Sequence, residues 1–233
     1  MMKRRVMLKL SGEALSGDTG FGFNNDVTIN IISDIKEALK SDIELAIIVG
    51  GGNFMRGKSL TIIDKYKADQ IGMLSTYMNG IYLSSMFNNE GIDNYLVGSV
   101  ELPGVVDVFN KDKCIDAFNN NKVVIISGGT GHPYFTTDTG VVLRALELDC
   151  KEALLGKNID GVYDKDPKIY SDAKKYDKLT FKEMTDKQLK VIDLTASSLC
   201  LDTNLTLRIF LLNEPNSIIK AIKGENIGTL ITN

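Results

Sequence analysis

Along the chain, short unbroken apolar runs alternate with longer stretches in which apolar residues recur every three or four positions. Val6 to Leu10, Leu45 to Val49, Tyr95 to Val97, Val123 to Ser127 and Glu152 to Leu155 are compact runs bounded by turn signals. Such runs are the mark of strands buried on both faces of a mostly parallel sheet. Between them the period lengthens. Asp26 is placed to cap a helix that carries Ile29, Ile32, Ile35 and Leu39 on one face and ends near Lys40. Asp69 to Phe87, with Met73, Leu74, Met78, Ile81 and Tyr82 at helical spacing, predicts another, and Thr139 to Leu148 a third. Strands alternating with helices imply right-handed crossovers and helices on both sides, an α/β fold built as a three-layer α/β/α sandwich.

Asp160 to Asp177 breaks this rhythm with Asp160-Gly161 and Asp166-Pro167, and reads as a hairpin or exposed excursion. Helical patterns resume at Phe181, and Leu207 to Leu212 and Thr229 to Ile231 read as closing strands. No repeat, low-complexity linker or domain boundary is visible, so residues 1–233 are expected to form one domain with two lobes.

Composition narrows the function. The chain has 27 Lys and Arg against 30 Asp and Glu, a net charge of −3 and a pI near 5.3. That balance argues against a protein built to grip nucleic acid. No apolar run approaches the ~18 residues that span a bilayer. The basic start at Lys3, Arg4 and Arg5 is followed only by Val6 to Leu8 before Lys9, so no signal peptide is expected there. Cys114, Cys150 and Cys200 are widely spaced, and His132 is the sole histidine, which leaves no zinc motif. A reduced, cytoplasmic protein is expected.

Three strand ends are rich in small residues: Lys9-Leu10-Ser11-Gly12-Glu13, Gly50-Gly51-Gly52-Asn53 with Arg56 beyond, and Gly128-Gly129-Thr130-Gly131 leading to Asp138. In an open α/β sheet, ligands bind outside the carboxyl ends of the strands. Glycines let backbone N–H groups approach a phosphate, and a helix opening there adds positive potential. One such cluster would suit a tight turn alone. Three on one edge, beside Lys9 and Arg56, point to phosphate. No G-x-G-x-x-G occurs, which excludes an ordinary dinucleotide enzyme. Facing anion loops suggest phosphoryl transfer between two anions, in which cations at the transferring group dominate catalysis. Magnesium would arrive on the nucleotide. An acceptor that is itself a phosphate, with a second pKa of ~6, needs no general base.

Taken together, Lys9 to Glu13, Gly50 to Asn53 with Arg56, D-x-x-G-M-L-x-T-x-x-N from Asp69 to Asn79, G-T-G-x-P-x-F-T-T-D from Gly129 to Asp138, and D-G-V-Y-x-x-D-P from Asp160 to Pro167 closely resemble the bacterial uridylate (UMP) kinases of the amino acid kinase fold family. The likeness runs in order to Gly228-Thr229-Leu230-Ile231-Thr232. It implies transfer of a phosphoryl group from Mg-ATP to UMP, with the N-terminal part mainly forming the UMP site and subunit interface and the C-terminal part mainly the ATP site. The resemblance puts Lys9, Leu10, Ser11, Gly12, Gly52 and Arg56 on the ATP phosphates, and Tyr163, Asp166, Lys157 and Asn158 around adenosine. UMP would lie against Gly51, Asp69, Gly72 and the loop of Thr130, Gly131, His132, Pro133, Tyr134, Phe135, Thr136 and Thr137, with Asp69 on the ribose. Asp138 and Asp193 match acidic residues that orient the catalytic lysine and help place magnesium.

Plain alternatives stand beside these roles. Asp138 and Asp193 are also well placed as helix caps, and Tyr163 as hairpin packing. The family's asparagine is His132 here, Lys157 stands where relatives carry Thr or Asn, and Ile192 replaces a methionine. Gly17-Asp18-Thr19-Gly20-Phe21-Gly22 matches a segment tied to GTP activation, or is a simple surface loop. UTP feedback inhibition and a homohexamer, a trimer of dimers, are also implied. The Asp69 to Phe87 stripe then reads either as a subunit contact or as plain core. Competing functions are a carboxylate or carbamate kinase of the same fold and a UMP- or UTP-sensing regulator without turnover.

Overall fold

Alternating apolar side chains at Val6, Leu8 and Leu10 on one side and Met7 on the other make Arg4–Leu10 (β1) a strand that divides two cores. In the computed structural model, which describes residues 3–55, 62–189 and 191–233, β1 lies at the middle of a sheet. The further strands are Ile43–Val49 (β2), Asn94–Gly98 (β3), Asp107–Val108 (β4), Val123–Ser127 (β5), Glu152–Lys157 (β6), Val162–Tyr163 (β7), Lys175–Tyr176 (β8), Lys178–Thr180 (β9), Thr206–Leu211 (β10) and Thr229–Thr232 (β11). Nine of them form one sheet in the order β4-β3-β5-β2-β1-β6-β10-β11-β9. Among the described residues its only antiparallel pair is β10–β11. The predicted excursion is the separate antiparallel hairpin β7–β8.

The helices are Gly12–Ser16 (α1), Asn25–Ala38 (α2), Lys65–Asn89 (α3), Lys111–Asn119 (α4), Thr137–Glu147 (α5), Phe181–Asp186 (α6), Leu194–Leu201 (α7) and Ser217–Lys223 (α8). Helices α4 to α7 share a core with Met7, Ile48, Ile126 and Leu155, while α1, α2, α3 and α8 share one with Leu8, Ile47, Ile125 and Leu154. The α/β/α sandwich expected from the pattern is the observed fold. Each fully buried Leu or Ile contributes on the order of 1.5–3 kcal/mol. Among the described residues no helix is long and apolar enough to cross a membrane.

Two helices depart from expectation. Asn24, not Asp26, caps α2 by accepting from Val27 N at 3.1 Å. Ile31 and Ala38 join Ile32 and Ile35 in the core, while Ile29 stays 41% exposed. Helix α3 packs Leu83 and Phe87 into the core but is inverted over its middle turns. Ser75, Thr76 and Asn79 are buried, whereas Leu74, Met78 and Ile81 are exposed at 55%, 45% and 38%. Its apolar stripe is therefore not core within this chain. The polar face turns inward because it holds the loops of the site.

Candidate active site

The first two glycine loops are packed backbone against backbone. Ser11 caps α1, accepting from Ala14 N at 3.2 Å. A Cβ on Gly12 would fall 2.5 Å from Gly52 N and 2.7 Å from Asn53 N, so only glycine fits. Asn53 and Asn79 exchange amide hydrogen bonds at 2.9 and 2.8 Å, and Asn79 also donates to Gly50 O. The third loop hangs on the same helix, since Gly128 N donates to Thr76 Oγ1 at 2.6 Å. Buried polar groups persist when bonded, and these bonds explain the inward polar face of α3. Gly12→Ala should cost about 1–3 kcal/mol by overpacking. Thermal unfolding would check this, and an unshifted melting temperature would contradict the close approach.

Between these loops opens a cavity of about 380 Å³ at the carboxyl ends of β1, β2 and β5. Of the residues predicted from sequence, Lys9, Ser11, Gly12, Gly51, Gly52, Asp69, Gly72, Thr130, His132, Phe135, Thr136 and Thr137 line it. Leu10 has its side chain wholly in the core, and its carbonyl accepts from Gly50 N at 2.8 Å. Gly131, Pro133 and Tyr134 belong to the lining loop but not to the wall. Asn158, Tyr163 and Asp166 lie outside it: Asn158 is exposed, Tyr163 Oη donates to Asp160 at 2.7 Å, and Asp166 accepts from Lys168 N at 2.9 Å. Arg56 is outside the described residues. Glu13, Thr76 and Met73 also line the wall and were not expected. For Thr76 and Met73, the signal was their place as fixed positions of the Asp69 to Asn79 motif.

Lys9 leaves β1 on the same side as Met7, toward α5, and its Nζ lies 2.5 Å from Asp138 Oδ1. Lys157 Nζ lies 3.1 Å from Asp138 Oδ2 and donates to Val191 O. Burial by itself would push the Asp138 carboxyl up, but Lys9 and Lys157 outweigh it and hold it below the ordinary range. For Lys157 burial wins and lowers its proton affinity, with Lys9 adding to the effect and Asp138 opposing it.

The cap of α5 is Thr136, accepting from Thr139 N at 3.2 Å, which leaves Asp138 in the first turn free of that duty. Asp193 does cap its helix: it accepts from Ala196 N at 2.9 Å, from Thr139 Oγ1 at 2.9 Å and from Thr136 Oγ1. Across the cavity, Asp69 accepts from Lys65 Nζ at 2.9 Å and from Tyr134 N at 2.7 Å, drawing down a loop in which Tyr134 has φ 72°. Burial raises the Asp69 carboxyl, but Lys65 and the Tyr134 N–H bring it below its usual value. The Gly17 to Gly22 segment abuts the second glycine loop, with Gly22 O accepting from Asn53 Nδ2 at 2.8 Å and Phe21 set edge-on to Phe54 at 5.6 Å.

A parallel sheet whose central strand ends deliver a lysine and glycine-rich loops into one cavity defines a phosphate-handling α/β protein. The chain belongs to the amino acid kinase family, whose model matches residues 4–211. Among solved structures it is similar to UMP kinase from Ureaplasma parvum, with 31% identity over all of both chains and a TM-score of 0.94. It is likewise similar to UMP kinase from Bacillus anthracis, at 33% identity and TM-score 0.95 over 100% of this chain and 97% of that one. The uridylate kinase from Archaeoglobus fulgidus matches at 26% identity and TM-score 0.75, over 99% of this chain and 100% of that one.

Proposed function

We propose that this chain transfers the γ-phosphoryl group of Mg-ATP directly to the phosphate of UMP, giving UDP and ADP, as a cytoplasmic step of pyrimidine nucleotide synthesis. The observation that carries the reading is the convergence of three strand-end loops and the Lys9 ammonium on one cavity, with Asp69 on its far side. The names of the similar UMP kinases supply the acceptor.

The obstacle is repulsion between the donor's terminal phosphate and an acceptor phosphate. Backbone N–H groups of Ser11, Gly12 and Gly52 take the donor, and Lys9 offsets charge on the transferring group, helped by Arg56. Gly51, Gly72 and the loop from Thr130 to Thr137 hold UMP, whose ribose hydroxyls donate to Asp69. Adenosine extends toward Asn158, Tyr163 and Asp166. Magnesium enters as part of the Mg-ATP substrate. The carboxylate oxygens of Asp138 are taken up by Lys9 and Lys157, a donor set that suits orienting Lys9 better than enclosing a cation, and those of Asp193 by Thr136 and Thr139. The acceptor is already anionic, so no proton need be removed.

Self-association is part of the same reading. Leu74, Met78 and Ile81 form an exposed apolar stripe on α3, a face that a second copy would cover in a hexamer. Leu74→Glu with Met78→Glu should reduce the assembled mass in light scattering, and an unchanged mass would remove α3 from the interface. UTP as feedback inhibitor and GTP acting near Gly17 to Gly22 belong to the proposal as effectors.

The test is ADP release from Mg-ATP offered UMP, CMP, dUMP, glutamate, aspartate or carbamate. Turnover with UMP is expected. Silence with UMP and activity with a carboxylate or carbamate would keep the fold and overturn the function. Silence with all, alongside tight UTP binding, would indicate a sensor.

A further inference from the structure

In the β1–β6 ladder Lys9 pairs with Leu155, and Lys157 follows two residues later. The two-residue period of a strand puts Lys157 on the face of Leu155, which shares its core with α5. Both lysines thus meet the first turn of α5, where one carboxylate receives them: Lys9 on Asp138 Oδ1 at 2.5 Å and Lys157 on Oδ2 at 3.1 Å.

We propose that Lys157 is a positioning residue for phosphoryl transfer, holding one oxygen of Asp138 so that Lys9 receives only a share of that carboxylate and keeps positive charge for the transferring group. The inference rests on the phosphoryl-transfer reading above and replaces the expected contact with adenosine. A lysine bound to a carboxylate of its own is a neutral pair that offers little to a third, anionic partner. Two lysines on one carboxylate carry a net charge of +1, and at a few ångströms in a partly dry site that difference is large. The next carboxylate, Asp193, hydrogen-bonds to Thr136, Thr139 and Ala196 N and, among the described residues, to neither lysine, though its charge reaches Lys157 through space and favours that ammonium. Glu13, Asp69 and His132 face the cavity from other walls. Lysines ordinarily run their ammonium out to water. Lys157 instead turns inward at 23% side-chain exposure, against the cost of burial, and its second bond to Val191 O fixes the ammonium in place.

The experiment compares the full chain with Lys157→Met and Lys157→Arg, alone and with Asp138→Asn, in steady-state UDP formation. Lys157→Met should lower kcat roughly ten- to hundred-fold, the scale of a misplaced catalytic group. KM for ATP and UMP should stay within about three-fold, the pattern of an interaction made in the transition state. Lys157→Arg should restore most of the rate. In the Asp138→Asn background the Lys157→Met change should be nearly silent, because the two act as a unit. A raised KM for ATP with unchanged kcat would make Lys157 an adenosine contact and overturn the inference. Equal losses in both backgrounds, or none, would also overturn it. Where Lys157→Met fails to fold, Lys157→Arg decides: a folded variant with a collapsed kcat contradicts charge sharing. An unaltered chain that forms no UDP overturns the underlying reaction, whereas its turnover beside an unaffected Lys157→Met overturns only the role of Lys157.

Discussion

Replacing Lys9 by alanine should lower kcat by roughly a hundred- to a thousand-fold, the scale of removing one preorganised charge-stabilising donor from a transition state. KM for UMP should change little, since the acceptor loop, Asp69 and Gly72 are untouched. The fold should survive, because Asp138 keeps Lys157 at 3.1 Å and is not left as an unpaired buried charge. Steady-state kinetics with both substrates varied separates these effects. Near-normal turnover would remove Lys9 from the chemistry and with it the electrostatic account of the site.

Asp69→Asn should act at the other end of the cavity. Hydrogen bonds to charged groups are worth about 1.5–3 kcal/mol, so KM for UMP should rise roughly ten- to hundred-fold. The amide can still accept from Tyr134 N, now 2.7 Å from the carboxylate, so the loop should keep its place, but the Lys65 pair at 2.9 Å loses its charge. Turnover at saturating UMP should fall by far less. An unchanged UMP requirement with weakened ATP binding would mean that donor and acceptor pockets are assigned backwards.

The sheet was readable in the sequence because its central strands are buried on both faces and appear as unbroken apolar runs. Val123–Ser127 was located to the residue, while β1 and β2 extend two residues earlier, through Arg4 and Arg5 in β1 and past Glu44 in β2, charged positions that interrupt the hydrophobic pattern. Strands β4 and β9 have 2 and 3 residues, too few to show a period. Helix α3 was found, but its orientation was not. Amphipathic reasoning assumes that apolar residues face the core, whereas here Thr76 and Asn79 turn inward to hold Gly128 and Gly50. The glycine loops were legible because a close backbone approach demands glycine, as at Gly12. Side-chain pairings over long separations were not. Nothing near Lys157 in sequence announces that its partner is Asp138, or that Asp193 ties α7 to Thr136 and Thr139.

The central claim is that a phosphoryl group passes directly between two nucleotides in one cavity. Incubating the chain with UMP and Mg-ATP carrying a heavy-oxygen label in the γ-phosphoryl group, and following the products by phosphorus NMR, tests this most directly. The account predicts one labelled UDP β-phosphoryl for each ADP formed. ADP accompanied by labelled inorganic phosphate, with UMP unchanged, would contradict it.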